Sequence, residues 1–191
     1  MTLDRPGFAA PAADAQSCFR AVLDAMSRPG TVVVAGAGLR PPTPLDPATA
    51  AVLLTLVDAD TPLWLDPAAS AAVDWAVFHC GAPRAEDLGA AAFACALTMP
   101  ALSGLHPGTD LAPEESATLI LQVPALGQGT PFRLSGPGLR APALLRLEGL
   151  PDDFAAQWVA NHALYPCGVD LVLCAGEQLC ALPRSVRIEE D

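Results

Sequence analysis

Three histidines, His79, His106 and His162, are the only side chains here whose ordinary pKa suits proton transfer near neutrality. His79 and His162 fall where apolar helical patterns end, and there an imidazole completes the last turn of a helix. His106 stands in a His-Pro-Gly loop, and loops carry chemistry more often than cores do. The carboxylates Asp58, Asp60, Glu114 and Glu115 have the chemistry of an acid/base pair, but beside helix ends they read as caps and solvated groups. Asp170 differs, because it interrupts an apolar run, so it must face solvent, an interface or an arginine such as Arg184.

The ten basic residues are all arginine. Without lysine the chain has neither a Schiff-base amine nor a P-loop lysine, so pyridoxal phosphate held as an internal aldimine is excluded. Two glycine-rich stretches invite an anion. Gly36 and Gly38 follow a β-branched run, yet the third glycine of a dinucleotide fingerprint is missing and prolines at 41, 42 and 44 leave no helix to receive a pyrophosphate. Residues 133–140, with Arg133 and Arg140 around Gly-Pro-Gly, could cradle an anion or simply turn the chain. No nucleophile elbow is present. The six cysteines form no CxxC pair and read as reduced apolar filler, so no metal site is expected.

These residues must be positioned by helices and strands legible from periodicity. Asp14 reads as the cap of a helix whose apolar stripe is Phe19, Val22, Leu23 and Met26, ending at Pro29-Gly30. Residues 31–34 read as a short buried strand. Asp46-Pro47 opens a helix over 48–57 that is apolar all round, residues 62–65 form a strand, and Asp66-Pro67 opens a helix through Val73, Val77 and Phe78. Residues 91–97, 118–123, 132–135 and 169–174 are further strands, 152–163 a helix, and 179–182 closes a hairpin through Gly176-Glu177. The expectation is one α/β domain over residues 1–191, with a mixed central sheet flanked by helices.

A formal charge of −11 argues against nucleic acid and against an anionic membrane surface. The N-terminus lacks the pattern of a signal peptide and no segment is long and apolar enough for a span, which points to the cytoplasm. Only 16% of residues are charged, against about 25% in an average domain, while a monomer of this mass exposes roughly 8,600 Å². Thinly spread charge points to apolar surface covered by partner subunits.

Several stretches in order, Phe19-Arg20 to Pro29-Gly30, residues 51–65, Phe78-His79, Leu105-His106 to Gly108, residues 113–123, Tyr165-Pro166 to Asp170 and Pro183-Arg184, resemble the PhnH family, a component of the bacterial carbon-phosphorus lyase system. Cys80 and Cys167 are this chain's own local residues. The resemblance implies a fold like the large domain of pyridoxal-phosphate-dependent transferases without their active site. It also implies a homodimer that joins subunits G, I and J and, with G, I and L, serves transfer of ribose triphosphate from ATP to methylphosphonate. On that reading the chain is a non-catalytic or indirectly catalytic subunit with no bound cofactor, and His79, His106, Arg133, Asp170 and Arg184 are candidate ligand or interface residues. Two alternatives stand beside it: a sensor that binds a phosphonate or nucleotide through Arg133, Arg140 or Arg184, and a stand-alone transferase or hydrolase using His106 or His79.

Overall fold

A computed structural model describes residues 5–190. The chain runs α1 (Pro11–Ser27), β1 (Val33–Val34), α2 (Pro47–Leu56), β2 (Leu63–Leu65), α3 (Val73–Cys80), β3 (Phe93–Ala96), β4 (Thr118–Gln122), β5 (Leu126–Ser135), β6 (Ala143–Leu147), α4 (Phe154–His162), β7 (Asp170–Ala175), β8 (Gln178–Leu182) and β9 (Arg187–Glu190). Short 3-10 turns fill the longer connections.

Six strands form a central sheet in the order β1-β8-β7-β4-β3-β2. The four from β7 to β2 are parallel, and β8 and β1 are antiparallel additions, so the expected mixed sheet is present. Alternate residues of each strand feed two cores, as the period of two requires. Ile120, Val172, Leu179 and Ala181 face α1, α2 and α3, whereas Leu119, Leu121, Leu171 and Leu173 face the other way.

That second face corrects the expectation of helices on both sides. It is covered by α4 together with a separate three-stranded antiparallel sheet, β6-β5-β9. Residues 132–135 belong to this sheet, paired with β6 and β9 across a bulge near Leu126, and not to the central one. Between α3 and β3 the chain makes a parallel bridge from Arg84 to Leu63 on the outer edge of β2, so this connection passes from one face of the sheet to the other.

Three local expectations are also corrected. α1 starts at Pro11 with Ala10 as its cap residue, and Asp14 lies inside the first turn, its carboxylate accepting the Ala10 N–H at 2.8 Å. The proline starts the helix earlier because a missing N–H costs nothing at N1. The buried face of α1 is Cys18, Val22 and Ala25, which leaves Phe19 and Leu23 exposed, because small residues allow the closest approach to α2 and β8. Residues 31–34 shrink to the two-residue edge strand β1 with Val34 exposed.

α2 matches its reading. Residues 48–53 are fully buried under α1 and α3, and Asp46 at its cap turns its carboxylate to the Gly176 N–H at 2.8 Å instead of capping its own helix. Gly36 explains the first glycine pair: at φ +73° it packs so closely on the Pro47 carbonyl that a Cβ would overlap it. The close approach is to backbone, not to a phosphate.

Candidate functional site

Three of the five candidate residues meet at the amino-terminal ends of the parallel strands. Asp170 opens β7, and Arg184 follows β8. Their ion pair is 2.5 Å long, with only 15% and 16% of the two side chains exposed. The carboxylate accepts the Arg184 backbone N–H at 2.8 Å and, in addition, Nε and Nη2 of the guanidinium. This forked geometry suits arginine alone. The remaining Nη1 donates to the Pro113 carbonyl at 2.8 Å and reaches the Pro166 carbonyl at 3.5 Å. Asp170 thus holds Arg184, and Arg184 joins the loop of residues 105–117 to that of residues 163–169.

His106 lies in the first of those loops. Its Nδ1 accepts the Gly108 N–H at 3.1 Å, which places the ring proton of the neutral form on Nε2, and its carbonyl accepts the Ala117 N–H at 2.8 Å. His162, at the end of α4, bonds the Arg184 carbonyl through Nδ1 at 2.9 Å and the Arg187 Nε through Nε2 at 3.2 Å. The pattern makes Nδ1 the donor and Nε2 the acceptor. His79 is remote from both. It ends α3, packs on Trp75 and Phe78, and bonds the Arg5 carbonyl through Nε2 at 3.2 Å. Each imidazole therefore fastens a chain segment, and among the described residues no hydrogen bond joins any of them to a carboxylate. A base needs a free lone pair near its substrate and an orienting partner, and the three rings lack that arrangement.

Arg133 is elsewhere. It is exposed on β5 in the second sheet, directly across from Glu189. Arg140 lies exposed in the loop beyond, where Gly138 at φ +83° packs against Pro29 at the end of α1. The glycine-rich stretch is a packing turn, and the three arginines of the sensor alternative do not converge, since the Arg184 guanidinium is committed to Asp170, Pro113 and Pro166.

Sequence reasoning missed two polar anchors, one half-buried and one buried. Gln122 ends β4; its carbonyl oxygen accepts from the Asp46 N–H and the Thr49 hydroxyl, and its amide donates to the Pro44 carbonyl. Asn161 is buried and mimics backbone, accepting the Val169 N–H at 2.7 Å and donating to the Val169 carbonyl at 2.9 Å. A polar amide inside or beside an apolar run was the available signal. An open cavity of about 590 Å³ also went unseen, between residues 5–9, the start of α1 and residues 34–40, with Arg5 and Arg40 on its rim. Only tertiary contact brings those segments together: Trp75 Nε1 donates to the Arg5 carbonyl at 2.9 Å.

All six cysteines are free, and all but Cys80 are buried. Burial pushes the Cys80 and Cys180 thiols up to about 12, and burial, reinforced by the Asp66 carboxylate and by Cys80, does the same to Cys95. Thiols so shifted are not nucleophiles at neutral pH. Among the described residues no three His, Cys, Asp or Glu side chains cluster to hold a metal, and no helix is long and apolar enough to cross a membrane.

The site is a set of loops interlocked by Arg184, Asp170 and backbone hydrogen bonds. The family model for bacterial phosphonate metabolism protein (PhnH) matches residues 6–189. The chain belongs to the PhnH family. It is 40% identical over 189 residues to the alpha-D-ribose 1-methylphosphonate 5-triphosphate synthase subunit PhnH of Rhizobium meliloti (strain 1021), a match covering 96% of this chain and 94% of that one. A putative C-P lyase subunit protein, HtxG of Stutzerimonas stutzeri, is 32% identical over 179 residues, covering 91% of this chain and 85% of the relative. Three of the segments that suggested the family from sequence, around residues 113, 166–170 and 184, meet in one place in the fold. In this PhnH-family chain, Pro113, Pro166, Asp170 and Arg184 form the loop clamp, and Asp58 braces its own turn through the Asp60 N–H and the Thr61 hydroxyl.

Proposed function

We propose that the protein is the PhnH-type component of a carbon-phosphorus lyase assembly and serves the synthase step that joins the ribose triphosphate of ATP to methylphosphonate. The match to the Rhizobium meliloti protein, which runs through nearly the whole of both chains, is the observation that carries this reading. Its role is non-catalytic or indirectly catalytic. With no lysine and with all three imidazoles engaged in structure, the chain contributes shape to a site whose reacting groups belong to its neighbours. A fold like the large domain of pyridoxal-phosphate transferases with the chemistry removed, a homodimer, assembly with subunits G, I and J, and a cytoplasmic location are parts of the same proposal.

Reconstitution tests it. ATP and methylphosphonate are incubated with subunits G, I and L, with and without this chain, and adenine release is followed. Release that requires the chain, together with none from the chain alone, is the expected result. Adenine release by the isolated chain, abolished in His106→Ala, would replace the proposal with the stand-alone enzyme. Heat of binding when ATP or methylphosphonate is titrated into the isolated chain, without any need for the chain in synthesis, would replace it with the sensor.

A further inference from the structure

The loops of residues 105–117 and 163–169 arise from different crossovers, yet they are fastened into one unit. The Gly168 N–H donates to the Pro107 carbonyl at 2.7 Å, Arg184 bridges the Pro113 and Pro166 carbonyls, and Cys167 Sγ lies 3.9 Å from the Asp110 carboxylate. Within the first loop Thr109 and Ala112 exchange backbone hydrogen bonds at 3.2 and 3.1 Å, which lifts Asp110 and Leu111 to the tip of a two-residue turn. Gly108, at φ +81°, sits where a Cβ would come within 2.7 Å of the Pro113 carbonyl, so this bend is set by close backbone contact.

The side chain at the apex is Leu111, 97% exposed. Turn centres favour Gly, Asn, Asp and Ser, and nothing in this turn uses the leucine side chain. The second loop adds Leu164 and Tyr165, 50% and 61% exposed. Apolar anchors on a preorganised support are what a protein interface needs, because little freedom remains to be lost on docking. Charge defines the occupant further. Asp110, Glu114 and Glu115 are exposed around the leucine, neither loop contains an arginine, and the nearby Arg184 is neutralised by Asp170.

We propose that the Leu111 turn, with Leu164 and Tyr165, is a docking surface for a different protein of the assembly that offers an apolar socket rimmed by lysine or arginine. The proposal rests on the reading of this chain as part of a larger complex, and it assigns the contact to a particular face. A second copy of the chain is the wrong occupant, because a twofold contact would set Asp110, Glu114 and Glu115 against their own equivalents. An anionic membrane is repelled by the same three carboxylates.

The test is co-purification of the tagged full chain with the remaining subunits of the assembly, expressed from the same genome. Leu111→Asp is expected to retain the parent melting temperature, since the side chain is almost wholly in solvent, and to bind at least ~30-fold more weakly, the scale of a lost anchor. Leu111→Met is expected to bind as the parent does, and Glu114→Arg with Glu115→Arg to slow association and remove its salt dependence. An assembly that forms equally well with Leu111→Asp would overturn the surface while leaving the proposed function intact. A change in the chain's own oligomeric state in Leu111→Asp would overturn it in favour of a second copy. Failure of the parent chain to enter any assembly would defeat the proposed function and this surface together.

Discussion

Arg184→Met leaves the Asp170 carboxylate, only 16% exposed, with the backbone N–H of residue 184 as its one remaining donor among those it now has. It also releases the Pro113 and Pro166 carbonyls. Removing one partner of a fully buried pair costs ~3–5 kcal/mol, and the residual exposure on both sides screens part of that, so about 2–3 kcal/mol is expected. For a chain of this length the corresponding fall in melting temperature is about 4–12 °C. Thermal unfolding followed by circular dichroism at about pH 7 reads it directly. Asp170→Asn keeps the shape and one acceptor oxygen, so its loss should be smaller but in the same direction. The double variant Asp170→Leu with Arg184→Met should lose clearly less than the sum of the two single losses, because it removes both charges at once. In Arg184→Met, limited proteolysis should cut first within residues 105–117, since the clamp no longer holds that loop. Melting temperatures within about 1 °C of the parent in both single variants would refute the clamp, because such a shift corresponds to well under ~1 kcal/mol.

Gly108→Ala forces a Cβ against the Pro113 carbonyl at positive φ, and denaturant titration should show a loss of ~1–3 kcal/mol. Asn161→Ala strips the Val169 N–H and carbonyl of their buried partners, and the same titration should show about 2–4 kcal/mol. The thiols of Cys80, Cys95 and Cys180, raised from 9.0 to about 12, make folding favour the protonated form. Their contribution is fully present below the unfolded value of 9.0 and is lost as pH rises toward about 12, so stability should fall on the alkaline side of 9, as equilibrium unfolding against pH will read. Native protein should accordingly react slowly with iodoacetamide at about pH 8 and expose all six thiols once unfolded.

Elements with strong local signals were legible. α2 announces itself by Asp46-Pro47 and by apolar residues on every side, and β4, β7 and β8 by short apolar runs between turn residues. The second sheet was not legible, because β6 and β9 mix charge with apolar residues and acquire strand character only by pairing with β5. The stripe of α1 misleads for a related reason. Periodicity shows which residues share a face, but the neighbouring surface decides which face is buried, and here Cys18, Val22 and Ala25 fit against α2 and β8 where Phe19 and Leu23 would not.

At the site, the sequence settled what is missing and what is out of place. A chain without lysine makes no aldimine whatever its fold, and a carboxylate inside an apolar strand must find a partner wherever that strand is put. Which partner it finds is a matter of register. β7 and β8 are joined by a tight hairpin that sets Leu171 opposite Leu182, which carries Arg184 back beside Asp170. The tertiary structure alone decided that the same guanidinium would also reach two loops from separate crossovers, because hydrogen bonds form between neighbours in space, and residues 71 and 18 positions away become neighbours only after the sheet has assembled.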